Sequence, residues 1–245
     1  MMLPFQNFEP QEAGPQYLED LATAYWYSEM LFTALEHDLF TILDDKGMTS
    51  HELAERLNWD PQGTERFLRA LCSLGLLCHY EGKYSNTALA ADYLVQGKKY
   101  YQGESILWRK YLSTGWRQLA DCLKAGGRIS YVDDADSLEL MQRIRKYIRA
   151  MDNVARAKVQ EMIPIFAGLF DEGEILELGA GSGAITAGFL EHFPNMKGIL
   201  VDLQQVIPVT KEMIKERGLI ERVQFQEANI LEDWKLPPKQ FALVI

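Results

Sequence analysis

The sequence lacks the segments that carry a chain into or across a membrane. Its N-terminus has no basic stretch followed by an apolar core, as a secretory signal requires, and no uninterrupted apolar run is long enough to cross a bilayer. We therefore predict a cytoplasmic protein with no membrane partner. Repeats and low-complexity segments are also lacking, and the 245 residues, 47% hydrophobic and 24% charged, have the composition of a globular protein.

Cysteine is scarce, with three in 245 residues and no C-x-x-C motif. This usage supports neither a disulfide framework nor a zinc site, and Cys72, Cys78 and Cys122 lie in apolar helical patterns that predict buried, reduced thiols. The acidic cluster at residues 133–136 is predicted to be a solvated turn and helix cap, because its carboxylates are not spaced to converge. No metal site is predicted.

The N-terminal part of the chain has the pattern of a winged helix. Residues 17–43 repeat apolar side chains at helical spacing without glycine or proline, which predicts one or two long helices. Shorter helices are predicted from residue 49 or 50 to 57 and from 61 to about 74, followed by a small hairpin at 78–84. Helix, turn, helix and hairpin in this order are common in DNA-binding modules.

Basic residues are too few to favour DNA binding. The chain has 25 Lys and Arg against 35 Asp and Glu, a net charge of -10. The second short helix offers only Arg66 and Arg69, offset by Glu65, and the wing has Lys83 beside Glu81. We therefore predict a packing role for this region and no nucleic-acid partner.

The C-terminal part has the pattern of a parallel α/β sheet. Helical stretches at 99–127 and 137–170 precede a change of pattern near residue 171. Strands are then predicted at 174–178, 198–202, 223–226 and 241–245, with helices at 182–193 and 206–217. Strands that alternate with helices imply a Rossmann-like parallel sheet with right-handed crossovers.

A glycine-rich turn follows the first of these strands and opens a helix. Gly179, Gly181 and Gly183 have no Cβ to obstruct a ligand that approaches the carboxyl end of the strand. The next strand ends at Asp202, 19 residues after Gly183, where a carboxylate can accept both hydroxyls of an adenosine ribose. Glu177, two residues before the first glycine, is placed to orient an ammonium group. These features predict one nucleotide-type cofactor site.

The glycine spacing alone does not name the cofactor. Gly179-x-Gly181-x-x-Ala184 also fits the dinucleotide fingerprint, so a nicotinamide-dependent oxidoreductase is an alternative. Glu177 favours S-adenosylmethionine, because a pyrophosphate site at a helix N-terminus gains nothing from a nearby negative charge.

The whole chain resembles the N-terminal two thirds of small-molecule O-methyltransferases of the acetylserotonin and caffeate type. The resemblance is carried by SHELAERLNWDPQGTERFLRALCSLGLL, by YIRAMDNVAR and by ILELGAGSGAITAGFLEHFPNMKGILVDLQQVI. It implies a mainly α winged-helix dimerisation domain at 1–98, a helical linker and acceptor-pocket region at 99–170, and the Rossmann-like domain of a class I methyltransferase at 171–245, C-terminally incomplete. It further implies a homodimer, S-adenosylmethionine as cofactor and methyl transfer to a hydroxyl of a small molecule.

The resemblance also assigns residues to the cofactor site. Glu177, Gly179 and Gly181 surround the methionine portion, with Gly183 in the same turn. Asp202 and Leu203 hold the adenosine. The remaining assignments are Asn229 and Ile230 near adenine, and Tyr147 and Met151 against the cofactor or acceptor, although plain helix packing explains these last two equally well.

Two departures from the family pattern stand out. Ala228-Asn229 replaces the usual Gly-Asp, and Asn229 can still accept a hydrogen bond through its carbonyl oxygen. The chain ends at Ile245, inside the predicted fourth strand, so we hypothesise a fragment whose general-base histidine lies beyond that residue. None of the four histidines is a convincing substitute.

The apolar residues before position 44 predict a dimer; they include Tyr25, Trp26, Tyr27, Leu31 and Phe32. A noncatalytic dimeric winged-helix regulator, with the glycine turn as a ligand sensor, is the main alternative to an enzyme.

Overall fold

The computed structural model describes residues 14–44, 46–127, 137–232, 235 and 238–245. The acidic cluster at 133–136 lies outside the described residues. The chain divides into two compact units between Gly103 and Glu104. In the part of the chain that the structure describes, no helix combines the length and the apolar character needed to cross a bilayer.

The first unit is a winged helix preceded by further helices. Its predicted order of helix, turn, helix and hairpin is confirmed. The elements are α1 Pro15–Thr23, α2 Tyr25–Glu36, α3 Leu39–Ile42, α4 Ser50–Leu57, α5 Pro61–Ser73, β1 Leu77–Tyr80, β2 Lys83–Asn86 and α6 Ala88–Tyr93.

Local capping explains where α4 and α5 begin. Thr49 and Glu52 form a capping box, in which the Glu52 N–H donates to Thr49 Oγ1 at 3.2 Å and the Thr49 N–H donates to Glu52 Oε2 at 2.7 Å. Asp60 accepts the Gly63 N–H at 2.7 Å ahead of Pro61 at the first turn of α5. These caps satisfy backbone donors that the helices leave without an internal partner.

Tyr84 joins the wing to α5. Its side chain is 1% exposed, and its hydroxyl donates to Glu65 Oε1 at 2.9 Å. Hydrogen bonds from Ser50, Arg69 and Tyr84 lower the pKa of Glu65 to about 2. Met48 forms a backbone bridge to Tyr84, which adds a third short segment to the hairpin. Neither this bridge nor α6 was predicted from the sequence.

The prediction of buried thiols is wrong for Cys78. This residue is exposed, whereas Cys72 and Cys122 are partly buried, and all three are free. Only the first residue of β1, Leu77, is buried, so the rest of this short strand faces solvent.

The second unit contains the predicted Rossmann-like sheet and the helices before it. The elements are α7 Gly103–Trp116, α8 Leu119–Ala125, α9 Ser137–Phe166, β3 Glu172–Leu178, α10 Ala184–His192, β4 Asn195–Asp202, α11 Ile207–Glu216, a 3-10 turn Ile220–Arg222, β5 Val223–Glu227 and β6 Leu243–Val244.

The sheet is parallel, in the order β5-β4-β3-β6, and this confirms the predicted fold class. Neighbouring residues of β3 face opposite sides of the sheet, so Ile175 packs with Phe189 of α10 whereas Leu176 packs with Val201 on the other face. On the first face α9 approaches α10 closely at Gly188, where an added Cβ would clash with Val159. This approach packs α9 against the middle of α10, the helix that connects β3 to β4.

Arg222 binds the segment that joins the end of α10 to the start of β4. Its guanidinium donates to the carbonyls of Leu190 at 2.8 Å, Phe193 at 2.7 Å and Met196 at 2.8 Å. These carbonyls end α10 and begin β4, where no helical donor is available to them. One side chain therefore fixes the return of the chain into the sheet.

Candidate cofactor-binding site

The glycine turn lies at the carboxyl end of β3, as predicted, and its three glycines differ in their surroundings. All have positive φ: +68° at Gly179, +54° at Gly181 and +71° at Gly183. A Cβ at Gly179 or Gly181 would have no described atom within 4 Å, whereas a Cβ at Gly183 would lie 2.6 Å from Leu200 Cδ1. The first two glycines thus border open space, and the third permits close packing of α10 on the sheet.

Asp202 contacts the glycine turn directly. Its Oδ2 accepts the Gly181 N–H at 2.7 Å, and its Oδ1 accepts the Leu203 N–H at 2.7 Å. Each carboxylate oxygen keeps a further lone pair for a ligand hydroxyl. The structure therefore brings together Gly181, Asp202 and Leu203, which the sequence placed in one site.

Glu177 has a protein partner that the sequence did not reveal. It is 5% exposed, and its Oε2 accepts the backbone N–H of Thr186 at 3.0 Å, which caps the first turn of α10. Burial raises the pKa of Glu177; the hydrogen bonds from Thr186 oppose this effect, and the Asp202 charge adds to it. Contact between Glu177 and a ligand ammonium stays a prediction.

Asp152 of α9 lies against the glycine turn and was not predicted from the sequence as a candidate site residue. It is 4% exposed, pairs with Arg156 at 2.6 Å and accepts a hydrogen bond from the Ser182 hydroxyl in the glycine turn. Burial raises the pKa of Asp152, and the Arg156 charge opposes the rise. The available signal was its helical spacing from Ile148 and Val159, which places a carboxylate on the buried face of α9.

Tyr147 and Met151 lie on α9 close to Asp152 in sequence. Tyr147 is 46% exposed, and its ring centroid is 5.4 Å from that of Trp108, which in turn stacks on Tyr111 at 4.9 Å. Met151 is partly buried. These rings form an aromatic cluster that was not predicted from the sequence, and their contact with a cofactor or acceptor stays a prediction.

Asn229 and Ile230 follow β5, as predicted, at the same edge of the sheet as Asp202. The Asn229 amide is engaged locally: its Oδ1 accepts the Leu231 N–H at 3.1 Å and its Nδ2 donates to Glu232 Oε1 at 2.8 Å. Ile230 is 39% exposed. Asn229 Oδ1 keeps one lone pair for adenine, and the contact of these two residues with adenine stays a prediction.

Each of the four histidines has a local partner. His37 lies edge-on to Trp59, His51 is 3.4 Å from Glu55, and His79 stacks on Tyr84. His192 contacts Phe193 at the opposite end of α10 from the glycine turn.

The fold and the site together indicate what kind of protein this is. The parallel sheet, the open glycine turn and the acid at the end of the second strand are those of a class I methyltransferase, which binds a nucleotide-type cofactor at this edge of the sheet. Comparison with known families agrees. The O-methyltransferase dimerisation domain matches residues 19–96, and the O-methyltransferase domain matches residues 116–244. The chain therefore belongs to the S-adenosylmethionine-dependent O-methyltransferase family, which confirms the predicted resemblance and does not favour the regulator or the oxidoreductase.

Individual relatives are distant but cover most of the chain. The chain is 28% identical over 227 residues to a 3-hydroxy-5-methyl-1-naphthoate 3-O-methyltransferase of Streptomyces sahachiroi, covering 91% of this chain and 66% of the relative. It is 29% identical over 231 residues to the N,N-dimethyltransferase OxyT of Streptomyces rimosus, covering 90% and 66%. The chain thus spans about two thirds of the length of these relatives.

Solved structures support the fold. Human N-acetylserotonin methyltransferase, in complex with S-adenosylmethionine, matches with a TM-score of 0.75 and 24% identity, covering 94% of this chain and 70% of the human chain.

Proposed function

We propose that this protein binds S-adenosylmethionine and serves methyl transfer to a hydroxyl of a small molecule. The observation that carries the proposal is the hydrogen bond from the Gly181 N–H to Asp202, beside open space at Gly179 and Gly181. The open space accommodates a ligand that a Cβ would obstruct, and the partly exposed carboxylate suits ribose hydroxyls. The residues present therefore fit the cofactor.

The protein's part in such a reaction is chiefly to bind and align. When bound, S-adenosylmethionine would supply a methyl group on a sulfonium sulfur, which leaves as a neutral thioether. Gly179 and Gly181 leave room for the methionine portion, and Asp202 and Leu203 hold the adenosine. Fixed alignment of donor and acceptor lowers the barrier by removing the entropy cost of their encounter.

Calorimetry with S-adenosylhomocysteine tests the binding proposal. We expect saturable one-site binding by the folded chain and an upward shift of the thermal unfolding temperature with ligand concentration. NADH is the matched comparison ligand, because a nicotinamide-dependent oxidoreductase would bind NADH more tightly than S-adenosylhomocysteine. No heat and no shift with S-adenosylhomocysteine would contradict the proposal.

We propose an aromatic acceptor with a hydroxyl group. The cluster of Trp108, Tyr111 and Tyr147 offers exposed ring surface in the same unit as the glycine turn, and planar rings stack favourably on such surfaces. The Streptomyces sahachiroi relative is named for a hydroxynaphthoate, which supports this choice. Methylation of an aromatic amine but not of phenols or naphthols would favour N-methyl transfer instead, as the name of OxyT suggests.

We further propose that the first unit forms a homodimer through α1 and α2. Leu18, Leu21 and Tyr25 follow one another at helical spacing and are 65%, 47% and 61% exposed, and Trp26 beside them is 55% exposed. Phe32, which the sequence prediction included in this surface, is 7% exposed and belongs to the core of its own unit. The dimerisation domain matched at residues 19–96 supports the same partner, a second copy.

Sedimentation velocity tests the dimer. We expect the wild-type chain to sediment as a dimer at micromolar concentration and Y25E to shift it toward monomer, because a charge at the interface is desolvated on association. Y80E is the matched control, since Tyr80 is 75% exposed at the wing and outside the α1–α2 surface. A monomeric wild-type chain, or equal effects of the two substitutions, would refute the assignment.

A further inference from the structure

Thr210 of α11 holds the glycine turn from the side of that helix. It is fully buried, and its hydroxyl lies 2.6 Å from the Gly181 carbonyl and 3.2 Å from the Val206 carbonyl of its own helix. The shorter contact is the hydrogen bond to Gly181. Because the Gly181 N–H donates to Asp202, both polar groups of this glycine are tied to β4 and the helix that follows it.

The hydrogen bond from Thr210 sets the orientation of the next peptide group. A trans peptide is planar, so the Gly181 carbonyl and the Ser182 N–H point in opposite directions. With the carbonyl directed at Thr210, the Ser182 N–H points away from α11. Among the described residues this N–H has no hydrogen-bond acceptor, although Ser182 is only 5% exposed. A backbone donor without a protein partner, in a residue with so little exposed surface, is available to the acceptor of a ligand.

We infer that Thr210 is a positioning residue, which aims the Ser182 N–H at the ligand so that it donates to the carboxylate of the cofactor's amino-acid end. The N-terminus of α10, immediately after the turn, adds a favourable electrostatic environment for an anion. The inference rests on the proposed function and adds to it: the anionic group of the ligand is recognised by backbone, through a side chain that does not contact it.

Two ligands separate this role from a general effect on folding. S-adenosylhomocysteine carries the amino-acid end, whereas 5′-deoxy-5′-methylthioadenosine keeps the adenosine and lacks it. In T210V, which keeps the shape of the side chain and removes the hydroxyl, we expect the affinity for S-adenosylhomocysteine to fall about tenfold, the size of one hydrogen bond to a charged group. The affinity for the shorter ligand should change less than about twofold.

T210S is the matched control, because it keeps the hydroxyl and loses a buried methyl group. We expect it to lower the thermal unfolding temperature of the free protein and to retain wild-type affinity for both ligands. T210A serves as a second variant without the hydroxyl if T210V does not fold, and the same selective loss is expected.

The outcomes distinguish the inference from the proposed function. Equal losses for both ligands, unchanged affinity in T210V, or a loss in T210S that matches the loss in T210V would each overturn the positioning role. If the wild-type chain binds neither ligand, the proposed cofactor binding itself is wrong.

Discussion

The Asp202 carboxylate and the Gly181 N–H, 21 residues apart in sequence, form a hydrogen bond of 2.7 Å. It joins the end of the second strand of the Rossmann-like sheet to the turn after the first. Because Asp202 also accepts the Leu203 N–H, the carboxylate is held in place before any ligand arrives. Such preorganisation reduces the ordering cost of binding.

This relationship predicts a specific loss in D202A. Removal of the carboxylate deletes both the proposed ribose acceptors and the tie to Gly181, so we expect the affinity for S-adenosylhomocysteine to fall about a hundredfold or more, equivalent to about 3 kcal/mol. Calorimetry measures the change. E172A is the control, because Glu172 is an exposed acid at the opposite end of the sheet and its removal changes net charge equally. Similar losses in the two variants would contradict the assignment of Asp202.

The glycines of the turn are predicted to separate into ligand-facing and packing positions. G183A should cost about 2 kcal/mol or more of folding stability, because a positive φ and a clash with Leu200 add. G179A should cost about 1 kcal/mol from the backbone alone and mainly weaken ligand binding. Denaturant unfolding and calorimetry on both variants check the pattern, and a larger stability loss in G179A would contradict it.

Much of this architecture followed from short-range rules. Thr49 with Glu52, and Asp60 with Pro61, are sequence signatures of helix starts, and alternating strands and helices identified the parallel sheet. The Met48 bridge was not predicted because it depends on Tyr84, which is distant in sequence. The short helix Ala88–Tyr93 was missed although it has a local start signal, since the Thr87 side chain accepts the Ala90 N–H.

The site was predictable where the backbone itself is the signal. Glycines after a strand and an acid after the next strand identified the turn and Asp202. The partners of Glu177, Thr210 and Asp152 were not predictable, because each hydrogen bond depends on how a helix lies over the turn. The sequence alone does not distinguish a buried carboxylate that caps a helix from one that contacts a ligand.

The network of Glu65 predicts how the first unit responds to acid. The pKa of Glu65 is lowered to about 2 in the folded chain from a usual value near 4.5. A lowered pKa contributes stability above the unfolded pKa, and that contribution is lost as pH falls from about 4.5 to 2. In E65Q we expect a lower unfolding temperature at pH 7 and a smaller further decrease in this acid range. Parallel curves for E65Q and wild type would contradict the prediction.

Arg222 is predicted to contribute far more to stability than a surface ion pair does. R222M leaves the carbonyls of Leu190, Phe193 and Met196 without their side-chain donor, so we expect a loss of about 2–4 kcal/mol. R145M removes the exposed pair between Arg145 and Glu212 and should cost about 0–1 kcal/mol. Urea unfolding of both variants measures the loss in the free energy of unfolding. Equal losses in R222M and R145M would show that the carbonyl contacts of Arg222 do not stabilise the fold more than a surface ion pair does.

The hydrogen bond between Asn229 and Glu232 predicts the effect of placing a carboxylate at residue 229. The resemblance to the family implies a carboxylate at this position, whereas here the Asn229 amide donates to Glu232. In N229D that donor is lost and two carboxylates are placed within hydrogen-bond distance, so their repulsion should open the turn after β5. We expect weaker binding of S-adenosylhomocysteine at neutral pH.

The double variant N229D/E232Q separates repulsion from the loss of an amide at the adenine position. The side-chain amide that E232Q introduces can donate to the new carboxylate, which reverses the direction of the hydrogen bond and removes one charge. Affinity should then return to within about threefold of wild type, whereas E232Q alone should have little effect, since Glu232 lies at the exposed end of the pair. Calorimetry at two salt concentrations adds a further check, because repulsion between exposed carboxylates is screened by salt and the deficit of N229D should shrink at high ionic strength. A deficit that persists in the double variant and in salt would assign the asparagine amide itself to ligand recognition.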